Sequence, residues 1–438
     1  MIKVGLISLG CAKNLVDSEL ILGVLKDANI EIVTDPQEAN AIIINTCGFI
    51  ESARQETVET IFEMKEYGKK LIVAGCYAER YREKLEKEMP FVDKIITLKD
   101  YPKIHVILQE VLGTKELKLK PMNYDTRILT TSNVTPYVKI SEGCNNRCAF
   151  CAIPLIRGNF RSRNLEDIVS ECRVLVKNGA KEINLISQDT SRYGSDLHPE
   201  KKSMLVKLLD EISKIEGIYM IRVLYLYPDE ITDEFIDYIK HHPIVAPYFD
   251  IPIQHISTNV LKKMLRRKDE AFHKELLYKI RREIPHAIFR TTLITGFPFE
   301  TEEDHQLLLD FISEFEFDRL GVFKYSKEED TKAYTYDHEV DEDTKEKRYE
   351  EIMRLQKKIA RKKNKEQIGR VHQTIIEAYD PESKFYYGRS YAFAPDDIDG
   401  YIVFQSSNKL NVGEIVDVLI KNSLGYDLIG DKVEKGSE

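Results

Sequence analysis

Over the first quarter of the chain, short apolar runs alternate with longer amphipathic stretches. Residues 4–9, 41–44, 71–74 and 94–97 are brief β-branched and aliphatic runs, so they read as strands. Between them, 16–26, 53–66 and 79–87 carry apolar positions three and four apart and read as helices. This rhythm predicts an open parallel α/β sheet. The same rhythm recurs six times from 137 to 325, with strands at 137–141, 182–187, 220–224, 248–253, 289–295 and 320–325. Its helices include 165–178, stopped by Gly179, and 204–215, stopped by Gly217. Six such units predict a partial (β/α)6 barrel with its chemistry on the loops after the strands. Residues 341–367 form a charged helix with Ile352, Leu355 and Ile359 on a narrow stripe. Beyond Ile368 the pattern shortens to β-runs at 374–378, 386–390, 401–404, 415–420 and 426–430, which predict a small closed β-barrel. The fold class is therefore α/β. An α/β unit is expected over 1–117, a barrel with its connecting helix over 130–366, and a β-barrel over 367–435.

Composition agrees with several globular units. The chain has 438 residues, 42% hydrophobic and 31% charged, too many for one core. It has no apolar run of the ~18–20 residues that a bilayer span needs. The start, from Met1 to Ser8, reads as a strand and lacks a signal-peptide pattern. A cytoplasmic protein without membrane contact is expected. Net charge is −9, which gives no general attraction to polyanions. In a reducing compartment the seven cysteines are not expected to form structural disulfides, so metal binding or catalysis comes first.

Three cysteines form the tight run Cys144-x3-Cys148-x2-Cys151. A zinc site needs four ligands, and no histidine lies in this loop to supply the fourth. Three thiolates suit a cubane iron–sulfur cluster with one iron left open. Such an iron can chelate the amino and carboxylate groups of S-adenosylmethionine, and electron transfer then releases a deoxyadenosyl radical. Three exposed surface thiols would be an oxidation liability without packing return. Other polar residues gather at strand ends: Ser187-Gln188-Asp189, Gln254-His255 and Thr295-Gly296-Phe297-Pro298. Gln188, Gln254 and Gly296 are candidate cofactor contacts, with ordinary loop chemistry as the alternative. Cys172 shares a helix face with Ile168, Leu175 and Val176 and reads as a buried, inert thiol.

Cys11, Cys47 and Cys76 each fall just after an expected strand of the first unit. In a parallel sheet those strand ends line one crevice. Their convergence suggests a second three-thiolate cluster. The alternative is three small buried hydrophobes.

The cysteine run, with Phe150 before its last member, resembles the radical S-adenosylmethionine superfamily. The sequel, from Ala152-Ile153-Pro154 through Arg157-Gly158 to Arg163, is similar to its methylthiotransferase family, and the resemblance covers essentially the whole chain. Leu9-Gly10-Cys11-Ala12-Lys13-Asn14, Asn45-Thr46-Cys47 and Ala74-Gly75-Cys76 match that family's N-terminal domain. The resemblance implies two [4Fe–4S] clusters, one held by Cys144, Cys148 and Cys151 and an auxiliary one held by Cys11, Cys47 and Cys76. It also implies S-adenosylmethionine used both as methyl donor and as radical source, and an electron donor such as flavodoxin or ferredoxin. The family often has Gly where this chain has Phe299. One branch thiomethylates a transfer-RNA adenosine (MiaB-like). The other acts on the β-carbon of an aspartate in the small-subunit ribosomal protein at the decoding centre. Asp17-Ser18-Glu19, Ile186 to Thr190, Tyr227-Pro228 and Gly321 to Ser326 look like the second branch. The last unit resembles a TRAM domain. Residues 367–438 hold seven Lys/Arg and twelve Asp/Glu, a balance of −5. Such a barrel suits a basic ribosomal protein better than phosphate, which makes tRNA an unlikely partner and Asp396, Asp397 and Asp399 candidate docking acids. Seven Lys/Arg against one acid over 352–366 read as the solvated face of a connecting helix.

Overall fold

The computed structural model of the chain describes residues 2–113, 119–395 and 399–434. The expected unit limits at 117 and 435, and the acids Asp396 and Asp397, lie outside the described residues. In the first unit, parallel strands Lys3–Ser8, Glu31–Val33, Ala41–Thr46, Lys70–Gly75 and Lys94–Ile96 stand in the spatial order second, first, third, fourth, fifth. Ala41 and Ile43 pack with Ile21, Leu25, Ile104 and Leu108, whereas Ile42 and Ile44 pack with Ile61, Met64 and Leu85. Helices thus cover both faces, which is why the third strand is continuously apolar rather than alternating. The sequence pattern misses the edge strand Glu31–Val33, which is short and poor in buried residues, and the helix Ile104–Leu112. The helix expected over 79–87 is two helices, Cys76–Arg80 and Arg82–Glu88.

The second unit has six parallel barrel strands in chain order: Tyr137–Lys139, Glu182–Ile186, Met220–Val223, Tyr248–Asp250, Ile288–Thr295 and Arg319–Lys324. They form two three-stranded sheets rather than one continuous ladder. Across the break, Ala246 N donates to Ile221 O (2.8 Å) and Leu226 N to Asp250 O (2.9 Å), so the curved wall continues. One core, including Leu185, Ile221, Phe249, Phe289 and Phe311, lies between both sheets and their helices. Cys172 is fully buried in it. The connecting helix, Glu342–Lys365, buries Ile352 and Ile359, while Leu355 is only partly covered.

The last unit is a closed barrel of strands Val371–Asp380, Phe385–Arg389, Ile402–Gln405, Ile415–Leu424 and Asp427–Lys432. It sits against the N-terminal ends of the (β/α) strands. There Glu182, fully buried, accepts from Arg222 (2.6 Å) and Arg389 (2.7 Å), and Arg222 also donates to Tyr391 O (2.8 Å). Asp399 belongs to this junction. It is 1% exposed and accepts from Tyr248 Oη and Ala394 N, so the expectation that it serves as a docking acid is wrong. Its carboxylate is taken up by the fold.

Candidate active site: two sets of three cysteines

Cys11, Cys47 and Cys76 follow the first, third and fourth strands of the first sheet. The strand order reverses between the first and third strands, so Cys11 and Cys47 flank the switch-point crevice where such sheets bind ligands. Two glycines let these loops close together. A Cβ on Gly10 (φ 87°) would lie 2.7 Å from Cys47 Cβ and 2.8 Å from its Sγ. One on Gly75 (φ 96°) would lie 2.8 Å from Thr46 O. Only glycine tolerates both the left-handed backbone and that approach. Asn14 then staples the loops, donating from Nδ2 to Leu9 O (2.7 Å) and Asn45 O (3.1 Å). Burial raises the Cys76 thiol to about 12 and also raises Cys47. Cys11 is exposed at the surface; desolvation acts upward there, but Lys13 and Arg157 outweigh it and the thiol is lowered.

Cys144, Cys148 and Cys151 lie on the loop after the first barrel strand. A small hairpin of Ser141–Glu142 and Arg161–Ser162 fixes its base, and Cys144 N donates to Gly158 O (3.2 Å). Ala149 N donates to Met264 O (2.9 Å), and Asp189 accepts from Asn146 Nδ2 (2.7 Å), pinning the loop to the barrel rim. Burial raises Cys144 to about 11 and raises Cys151 as well.

The two strand-end edges face each other. Arg157 Nη2 donates to Cys76 Sγ (3.1 Å) and Asn14 Oδ1 (3.3 Å), and its Nη1 donates to Asp17 (2.8 Å) and Glu142 (3.1 Å). Lys139 pairs with Asp17 and with Glu142 (2.8 Å). Burial opposes ionisation of Glu142, yet Lys139 and Arg157 hold its carboxyl down at about 2. A second latch joins Glu328, after the last barrel strand, to Arg54 and Arg80 (2.9 Å) of the first unit. Lys13 Nζ lies 3.1 Å from the centre of the Tyr225 ring.

Of the other expected contacts, Gln188 is half-buried; its Nε2 donates to Glu142 (2.9 Å), and its Oε1 is buried without a partner. Gln254 is half-buried with φ 70°, and its backbone bridges to the next strand through Thr292 O and Ile294 N. Gly296 makes room for a different neighbour: a Cβ there would run into the Lys345 side chain of the connecting helix. Phe299, where the family often has Gly, adopts φ 72°, and Lys263 Nζ stands 4.0 Å from its ring centre. The loop thus keeps a glycine-like backbone at a phenylalanine. Sequence reasoning did not single out Asn14, Arg157 or Arg266. The first two lie inside motif stretches but gain their roles only across a domain boundary. Arg266 sits in the basic run Arg266-Arg267-Lys268, with no motif around it.

Among the described residues no three His, Cys, Asp or Glu side chains are grouped to hold one metal ion. In a cubane each thiolate takes a different iron. N–H groups also point at the sulfurs: Arg157 at Cys76, Asn146 N at Cys144 (3.5 Å) and Arg266 Nη1 toward Cys148 (3.8 Å). Such donors stabilise ligated, negatively charged thiolates.

Comparison with known proteins gives the same division. Residues 3–97 match the Uncharacterized protein family UPF0004, 138–312 the Radical SAM superfamily and 368–433 the TRAM domain. The ribosomal protein uS12 methylthiotransferase RimO of Acetivibrio thermocellus is 47% identical, over 100% of this chain and 99% of its own. That of Aquifex aeolicus is 48% identical over 99% and 98%. Among solved structures, the radical S-adenosylmethionine methyltransferase TsrM of Kitasatospora setae, with cobalamin and a [4Fe–4S] cluster bound, aligns with TM-score 0.51. It is 14% identical over 74% of this chain and 75% of its own, a likeness of fold alone. Membership of the radical SAM superfamily implies one [4Fe–4S] cluster and S-adenosylmethionine. With near-half identity along its whole length, joined to the three-part fold and the cysteine run, the chain belongs to the RimO family of radical SAM methylthiotransferases.

Proposed function

We propose that the protein adds a methylthio group to the β-carbon of an aspartate in ribosomal protein uS12, using two [4Fe–4S] clusters. The observation that carries this reading is the apposition of two three-cysteine sets across one domain boundary, in a chain similar throughout to uS12 methylthiotransferases. Cys144, Cys148 and Cys151 would hold the radical cluster and leave one iron for S-adenosylmethionine, and Cys11, Cys47 and Cys76 would hold the auxiliary cluster. When bound, the radical cluster and S-adenosylmethionine supply a deoxyadenosyl radical, which an unactivated carbon–hydrogen bond requires because it offers no acidic proton. The chain's own contribution is placement. Asp189 and Gly158 hold the cysteine run, Asn14 holds the distributed set, and the Arg157 and Glu328 contacts hold one edge against the other. Gln188, with its unpartnered buried Oε1, and Gln254 are proposed to contact S-adenosylmethionine. Gly296 is proposed to lie beside the cofactor, with its lack of a side chain also admitting Lys345 of the connecting helix.

Because the TRAM-like barrel lies at the opposite end of the (β/α) strands from the cysteines, it acts as a remote docking surface for a basic protein. Asp417 and Asp431, exposed on neighbouring strands, replace Asp399 as the acids to test. The three units over 1–117, 130–366 and 367–435 then divide auxiliary cluster, radical chemistry and docking between them. A ribosomal substrate places the reaction in the cytoplasm, and a flavodoxin or ferredoxin would supply electrons. The test is anaerobic reconstitution with S-adenosylmethionine and a reductant, followed by mass spectrometry. 5′-Deoxyadenosine and a methylthio-aspartate in uS12 are expected. Methylthio-adenosine in transfer RNA with uS12 untouched would overturn the substrate.

A further inference from the structure

Arg157 belongs to neither cysteine set yet touches both halves of the site. It closes the short helix Ile153–Arg157 that follows Cys151, and it is 4% exposed. Its two terminal nitrogens divide the work. Nη1 is held by Asp17 and Glu142, and Nη2 is thereby aimed at Cys76 Sγ (3.1 Å) and Asn14 Oδ1 (3.3 Å). An ion pair serving only to join two domains is already present, because Lys139 also bridges Asp17 and Glu142. Aiming a guanidinium at a sulfur adds nothing to that pairing. It does matter to a thiolate that ligates iron. Reduction of a cluster adds negative charge, so a cationic N–H on a ligand sulfur favours the reduced state, and hydrogen bonds to sulfur are among the protein's levers on potential.

We propose that Arg157 is a positioning residue for the auxiliary cluster: its N–H on Cys76 raises that cluster's reduction potential and fixes its seat against the radical domain. The proposal rests on the reading that Cys11, Cys47 and Cys76 hold a cluster. Its test uses the full-length chain with Cys144, Cys148 and Cys151 replaced by Ala, so that only the auxiliary cluster remains, titrated by EPR against potential. Arg157→Gln should lower the ratio of reduced to oxidised cluster at fixed potential about tenfold, equal to about 59 mV for one electron. Arg157→Lys, which keeps the charge but not the fork, should restore part of the shift. An unchanged midpoint in Arg157→Gln with parental iron content overturns the role of Arg157 alone. A parent that binds no iron overturns the auxiliary-cluster reading, and the proposal with it. Should Arg157→Gln not fold, the parent grown with isotope-labelled arginine decides by pulsed EPR. Coupling of the reduced cluster to an arginine nitrogen, lost in Arg157→Lys, is expected, and its absence in the parent overturns the proposal.

Discussion

Cys144, Cys148 and Cys151 share one short loop, whereas Cys11, Cys47 and Cys76 come from three loops that meet only when a parallel sheet assembles. In the first set, chain connectivity alone keeps the sulfurs close, and the barrel merely orients the loop through Asp189 and Met264 O. In the second, proximity depends on strand order, on two bare glycines and on the Asn14 staple. The lesson is one of fragility. A perturbation that loosens the first sheet should scatter the distributed set, while the tight run keeps its ligands.

The largest expected effect separates the sets directly. Full reconstitution should give about eight irons per chain, four per cubane. Replacing Cys144, Cys148 and Cys151 by Ala should halve the iron and abolish S-adenosylmethionine cleavage. Replacing Cys11, Cys47 and Cys76 should halve the iron and leave some cleavage, and an undiminished iron count there would remove the second site.

Glu328→Gln attacks the seat between the domains. It leaves Arg80, 4% exposed at its side chain, and Arg54 without their carboxylate. Losing one partner of a buried pair costs about 3 kcal/mol or more, so the thermal midpoint should fall clearly below that of the parent. An unchanged melting curve would show that this latch is not closed in solution.

Gly75→Ala tests the distributed set from within. The backbone at Gly75 (φ 96°, ψ −155°) is one that essentially only glycine adopts, at a cost of about 1–3 kcal/mol for an alanine, and the new methyl meets Thr46 O. Iron analysis and EPR should show selective loss of the auxiliary signal. Equal loss of both signals would mean that the two sets are not independent.

Per unit of pH the smallest effect is a slope. His255, at the rim of the (β/α) barrel, accepts from Ser257 N (3.0 Å) and is lowered to about 3 by burial. Below pH 6.5 the unfolded chain takes up a proton that the folded chain refuses. Stability should therefore fall as pH drops from 6.5 toward 3, by at most about 1.4 kcal/mol per unit from this residue. His255→Gln should flatten that slope in denaturant titrations.

How much of this was legible beforehand follows the range of the interactions. The first four barrel strands were readable as buried runs, Ile288–Thr295 alternates, and Arg319–Lys324 buries only Val322 but keeps a β-rich apolar pattern; the observed limits differ by only a few residues. The edge strand Glu31–Val33 was not, because a half-exposed three-residue strand has no apolar signature. The cysteine run carried its chemistry in its spacing. The roles of Arg157 and Arg266 had no local signal, since their partners Cys76 and Cys148 lie far away in sequence.

The sequence by itself determined the order of three units, the spacing of the six candidate cysteines and the family, because spacing and periodicity are local properties of the chain. Only the tertiary structure decided which ends meet. It set the first sheet on the C-terminal strand ends through Arg157 and Glu328, and it placed the last barrel at the opposite ends through Glu182, Arg222 and Arg389. It also buried Asp399, whose neighbours in sequence gave no hint of Tyr248. Buried charges must find partners or hydrogen bonds to offset lost hydration, and those partners come from wherever the folded chain brings them.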